Sequence, residues 1–107
     1  EALLKRAMAI VEKNMDNIEF STDEFAREMN MSRSNLHLKL KAITGESTID
    51  FIRKIRFNEA AKLLKDGRYT VAEVSTMVGF NTPSYFATSF KKYFGCLPTE
   101  YIKKSKG

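Results

Sequence analysis

Residues 71–101, VAEVSTMVGFNTPSYFATSFKKYFGCLPTEY, decide the fold. Thr70, just ahead of them, and Glu73 have capping-box spacing, in which a hydroxyl and a carboxylate satisfy each other's otherwise orphaned backbone N–H groups. A helix is therefore predicted from there through Val71, Val74 and Val78, stopping at Gly79, with Phe80 after a short turn. Thr82 and Pro83 then read as an N-cap followed by proline at the first helical position, where the missing N–H costs nothing and φ is already set. In this second helix Phe86, Phe90, Tyr93 and Phe94 fall on one stripe of a 3.6-residue period that ends at Gly95. Ser84, Ala87, Thr88 and Lys91 lie on the opposite face.

Two short helices joined by a tight turn, the second showing small polar and basic groups opposite an aromatic stripe, have the form of a DNA-reading unit. A partial copy lies upstream in FAREMNMSRSNLHLKLKAITGESTIDFI, residues 25–52. Phe25, Met29, Asn30 and Met31 match Val74, Val78, Gly79 and Phe80 at an offset of 49. After one extra residue in the second turn, Leu36, Leu40, Ile43, Gly45, Phe51 and Ile52 match Phe86, Phe90, Tyr93, Gly95, Tyr101 and Ile102 at 50. The exposed face recurs as well: Ser34, Leu38 and Lys41 answer Ser84, Thr88 and Lys91, and His37 stands where Ala87 does.

On these residues the chain resembles the DNA-binding domain of AraC/XylS-type bacterial transcription regulators over essentially its whole length. The most specific piece is VGFNTPSYFATSFKKYFGCLPTEY, residues 78–101, and the run from Ser32 to Leu64 is similar to the family's first motif and linker helix. The variant is most similar to output domains of large hybrid two-component regulators of polysaccharide use. The resemblance implies one all-α DNA-binding domain of about seven helices. Two helix-turn-helix subdomains, residues 1–46 and 67–107, would be joined by a long linker helix, 47–66. By alignment it implies base contacts from Ser34, His37 and Leu38 in the first half and from Pro83, Ser84, Ala87 and Thr88 in the second. Phosphate contacts are expected at Ser32, Arg33, Lys41, Asn81, Thr82, Lys91 and Lys92. Expected partners are double-stranded DNA, RNA polymerase and the sensor or dimerisation region of a longer cytoplasmic regulator, with no cofactor and no membrane contact by this segment. Leu38 departs from the family, which has a basic or polar side chain there; an outward leucine reads a thymine methyl or packs on a partner. The second helix carries no Arg, Asn or Gln on its reading face, so its share of specificity would come through shape and water.

Charge agrees. The net charge is +5, which favours an anionic partner, but its distribution says more. No acid occurs between Glu28 and Glu46 or between Glu73 and Glu100, and these two windows hold both reading helices with Arg33, Lys39, Lys41, Lys91 and Lys92. A phosphate-facing surface requires that, because a carboxylate beside a phosphate repels it. At 107 residues and 43% hydrophobic the chain is one folded domain with a real core. Cys96, the only cysteine, excludes an internal disulfide and a cysteine-rich zinc site and reads as a small packed residue in a reducing compartment. His37, the lone histidine, has no ligand partner at helical spacing, so no metal is expected. No apolar run approaches a membrane span and no signal peptide is visible. The chain opens on Glu1 and runs directly into an amphipathic pattern, which suggests a segment of a longer polypeptide.

In chain order, Leu3, Leu4, Ala7, Met8, Ile10, Val11 and Met15 form a packing stripe, and Ile18 and Phe20 are expected to anchor the next connection. Ser21 and Glu24 have capping-box spacing, with Thr22 and Asp23 as alternative caps, and the short helix that follows buries Phe25, Ala26 and Met29, where Ala26, like Ser75, lets the next helix cross closely. Asn30 replaces glycine in the turn, and Ser32 caps the reading helix, with Leu36, Leu40 and Ile43 inward. Ser47 and Asp50 start the joining helix, which carries Ile49, Phe51, Ile52, Ile55 and Phe57 and spans roughly 25 Å from Thr48 to Leu64. Arg53, Lys54, Arg56 and Lys62 form its solvated basic side, and resemblance makes Arg56 structural. Leu97 replaces the family's serine cap before Pro98, and Lys103, Lys104 and Lys106 form a basic tail. A helical protein-interaction module is the rival function, which the acid-free faces oppose. Catalysis lacks a nucleophile with a base, paired carboxylates or a phosphate loop.

Overall fold

In the computed structural model, which describes the backbone of residues 2–106 and the side chains of 2–105, helices begin where hydroxyl caps stand. Ser21, Ser32, Ser47, Thr70 and Thr82 each accept a hydrogen bond from the backbone N–H three residues on, at 3.0 to 3.2 Å. The described elements are α1 (Ala2–Lys13), α2 (Thr22–Glu28), α3 (Arg33–Thr44), α4 (Thr48–Asp66), α5 (Val71–Met77), α6 (Pro83–Phe94) and α7 (Pro98–Lys106), with no strand among them. At Thr70 the capping box is complete, because the Glu73 carboxylate accepts from the Thr70 N–H at 2.8 Å. At Ser21 the glutamate instead meets Arg27 at 3.4 Å. Where Leu97 replaces the serine, Glu100 still accepts from the Leu97 N–H at 2.9 Å, so α7 keeps half of a box and forms.

The two turns repeat bond for bond. The Met31 N–H donates to Ala26 O and the Phe80 N–H to Ser75 O, both at 2.9 Å, and Asn30 and Gly79 sit in the left-handed region at φ 59 and 82°. Ala26 and Ser75 are both buried at the crossing, as their small size predicts.

Two apolar cores result. Ala7, Val11, Phe25, Leu36 and Leu40 belong to the first, and Val74, Val78, Phe86 and Phe90 to the second. Helix α4 serves both: Phe51 and Ile52 enter the first core, and Phe57, Ala60 and Leu64 the second. At 19 residues it is about 28 Å long, and the molecule is drawn out to 42 Å along its main axis. Clamps tie α1 to α2: Arg6 donates to Met29 O at 2.7 Å, and Lys13 pairs with Glu28 at 2.7 Å. The Lys13 hydrogen bond holds the Glu28 carboxyl below the usual carboxylate range, helped by Asn14 and opposed by desolvation. Cys96 is a free, buried cysteine.

Several residues expected inside are outside. Met8 and Ile43 are exposed because each lies at the edge of its stripe, beyond the neighbouring helices. Ile18 is exposed and leaves Phe20 alone to anchor the connection. Ile49, in the first turn of α4, is 56% exposed, although Thr48 beside it is buried and Phe51 and Ile52 just beyond enter the first core. Tyr93 divides its ring, stacking on Phe57 at 5.0 Å while its far side stays wet. No described helix is long and apolar enough to cross a membrane. Lys103 and Lys104 are exposed on α7; the Lys106 side chain lies outside the described side chains.

Candidate nucleic-acid interface

With Leu36 and Leu40 fully buried, the 100° step of α3 turns Ser34, His37, Leu38 and Lys41 to solvent. All four are exposed, Leu38 at 66%, as is Ser32 at the cap. No group of three or more potential metal-ligating side chains surrounds His37 among the described residues. Arg33 is exposed but meets Asp23 of α2 at 3.2 Å. The window that is free of acids along the chain is therefore not free of them in space.

On α6 the burial of Phe86 and Phe90 exposes Pro83, Ser84, Thr88, Lys91 and Lys92, together with Asn81 and Thr82 before the helix. Ala87 is half-buried, so only part of its methyl is presented. The Thr88 hydroxyl donates to Ser84 O at 3.0 Å, which leaves its oxygen as an outward acceptor. The ion pairs among the described residues involve none of Lys41, Lys91 and Lys92.

Two open clefts lie between α3 and the start of α6. One, of about 610 Å³, is lined by Arg33, Ser34, His37 and Leu38 on one side and Ile49 and Thr22 on the other. The next, of about 630 Å³, is lined by the same Thr22 and Ile49 and continues past Arg53 and Arg56 to Asn81 and Tyr85. Because both share Thr22 and Ile49, a trough runs from the exposed face of α3 to the start of α6. Ile49 and Tyr85 were missed as surface-forming residues by sequence reasoning, whereas Arg53 lies on the solvated basic side of α4 as expected. Tyr85 is 57% exposed, its ring against Phe80 at 5.7 Å, and its one signal was that it falls outside the aromatic stripe.

Arg56 holds this trough in shape. Its guanidinium donates to Asn17 O of the α1–α2 connection at 2.9 Å and to Gly79 O of the α5–α6 turn at 3.3 Å. One side chain thus ties a loop of the first half to the turn of the second. Burial lowers its pKa, although arginine stays charged in proteins, and its Nε is left without a hydrogen-bond partner. A Cβ on Gly79 would stand 2.6 Å from Met15 O and 2.9 Å from the Arg56 Cζ, so the turn admits no side chain there.

A family model described as a helix-turn-helix domain matches residues 25–104. Over 101 residues the chain is 41% identical to histidine kinase P4 of Formosa agariphila, covering 94% of this chain and 7% of that protein. It is 32% identical to the HTH-type transcriptional regulator MtrA of Neisseria gonorrhoeae, covering 94% of this chain and 34% of MtrA. The chain therefore spans only a small part of these relatives. Among solved structures it is similar to the C-terminal domain of AraT, a response regulator from Geobacillus stearothermophilus, with TM-score 0.88 and 30% identity, covering 97% of this chain and 86% of that one. The DNA-binding domain of AdpA in complex with a target DNA shares the fold at TM-score 0.84 and 24% identity, covering 95% and 90%. With caps, duplicated turns and reading helices in place and a family match over most of its length, the chain belongs to the AraC-type helix-turn-helix family of DNA-binding transcription regulator domains.

Proposed function

We propose that this domain reads one continuous, non-palindromic duplex element, with α3 and α6 in successive major grooves about 10 base pairs apart. Ser34, His37, Leu38, Pro83, Ser84, Ala87 and Thr88 face bases in this reading. Ser32, Arg33, Lys41, Asn81, Thr82, Lys91 and Lys92 face phosphates. Residues 1–46 and 67–107 act as two reading halves on the rigid 47–66 connector, and the domain is the output of a cytoplasmic hybrid two-component regulator that recruits RNA polymerase. The observation that supports the reading is the trough that runs from the exposed face of α3 to the start of α6 in a molecule 42 Å long. A molecule of that length is long enough to span one duplex turn of roughly 34 Å.

Gel-shift titration of a duplex selected from random sequence tests it. Inserting about five base pairs between the half-sites turns one groove to the far side, and affinity should fall to that of one half alone. Log affinity should also fall with log salt at roughly −0.9 per phosphate neutralised. A harmless insertion would break the two-groove arrangement. A flat salt response would favour a protein-docking module instead.

A further inference from the structure

We infer that Leu38 is a specificity-determining residue that reads the 5-methyl group of a thymine in the half-site bound by α3; the inference rests on the duplex-reading function proposed above. Leu38 is the most exposed large hydrophobic side chain among the described residues. It stands on the one face of α3 that the core leaves free, between Ser34 and Lys41 and beside His37, all exposed. A leucine that docked a protein would need a patch of apolar neighbours; its own helix turn supplies polar and basic ones, and one large apolar side chain, Ile49, shares its cleft. Beside it are groups that suit an anionic duplex: Lys41 lies about one turn on, and Arg33, which meets Asp23, lines the same cleft. The other large apolar side chain of that cleft is Ile49, across from it on α4.

Chemistry narrows the target. A leucine neither donates nor accepts a hydrogen bond, so it cannot distinguish guanine, adenine or cytosine by their polar edges. In the major groove the apolar feature is the thymine methyl, and it is the group whose hydration a leucine can displace without leaving a donor or acceptor unpaired. His37, one position earlier on the helix, is free to hydrogen-bond a neighbouring base edge, so a polar contact and an apolar one would lie side by side. A basic side chain at position 38 would select guanine instead.

The test replaces thymine by uracil, which removes that methyl and keeps every hydrogen-bonding group. A duplex is first selected from random sequence with the 107-residue chain, and each thymine is then changed singly to deoxyuridine. One position in the α3 half-site should cost the unaltered protein about fourfold in affinity, the worth of one buried methyl-sized group. Leu38→Ala should bind the thymine and uracil duplexes alike, Leu38→Met should restore the difference, and uracils in the α6 half-site should respond identically in all three proteins. Leu38→Ala should fold normally, since the side chain is exposed, and its thermal melt checks this. A duplex indifferent to uracil throughout the α3 half-site, or a penalty that Leu38→Ala retains, overturns this inference alone. Failure of the selection to enrich any duplex overturns the duplex-reading function and this inference with it.

Discussion

The α2–α3 and α5–α6 turns carry the same hydrogen bonds, yet one is built on Asn30 and the other on Gly79. The structure explains why they are not interchangeable. Each unit has an arginine 23 residues before an acceptor in its own turn: Arg6 donates to Met29 O and Arg56 to Gly79 O. These arginines are 50 residues apart, the offset of α3 and α6, but their acceptors are not equivalent, since Met29 matches Val78 and Asn30 matches Gly79. In the first unit both the arginine and Asn30 are exposed. In the second, Arg56 also reaches Asn17 O, and the Met15 carbonyl lies against Gly79. Two copies of one unit have thus diverged where they touch each other. The reading helices differ too, but at exposed positions that the fold leaves free.

That comparison can be broken most sharply at the turns themselves. Gly79→Ala sets a Cβ against backbone at positive φ and should cost about 3 kcal/mol or more, combining left-handed strain with overpacking. Asn30→Gly should stay within about 0.5 kcal/mol, because the αL penalty it relieves is offset by backbone entropy. Urea unfolding of both variants measures the difference, and equal losses would show that the turns are equivalent after all.

Next in size is the arginine pair. Arg56→Met leaves two carbonyls without their charged donor and should cost about 2 to 3 kcal/mol, whereas Arg6→Met, more exposed, should cost about 1 kcal/mol or less. Thermal melts report the stability. Arg56→Met should also blunt the penalty of the five-base-pair insertion, since the tie between the halves is cut, and an undiminished penalty would assign rigidity to α4 alone.

A smaller effect separates the caps. Ser47 and Leu97 occupy equivalent places, so Ser47→Ala should cost about 1 kcal/mol while Leu97→Ser should add about 0.5 to 1 kcal/mol at α7. Denaturant midpoints distinguish them; no gain from Leu97→Ser would mean that the Glu100 contact already serves as the cap.

The smallest concerns the acid that only the first half possesses. Asp23 pairs with Arg33, whereas the equivalent places in the second half hold Ala72 and Pro83. Asp23→Asn should free the guanidinium and remove a repelling carboxylate, raising duplex affinity about threefold at low salt and less at high salt. Unchanged affinity would show that Arg33 leaves Asp23 for phosphate at no cost.

The helix starts, their caps, the two turns and the aromatic stripe were legible in the sequence, because each is set by chemistry within about four residues along the chain. So was the outward face of α3, since fixing Leu36 and Leu40 inward fixes Ser34, Leu38 and Lys41 by rotation alone. Arg56 was legible as structural only through resemblance; its partners lie 23 and 39 residues away, and no local pattern encodes such a distance. The exposure of Ile18, Ile49 and Tyr85 had the same origin, because an apolar residue is buried only if another element comes to cover it. Tertiary structure alone decided that Asp23 meets Arg33, that Gly79 has no room for a Cβ, and that one trough runs from α3 to the start of α6. Periodicity tells a helix which side is apolar; what lies against that side, and how far the cover extends, depends on residues brought together from distant parts of the chain.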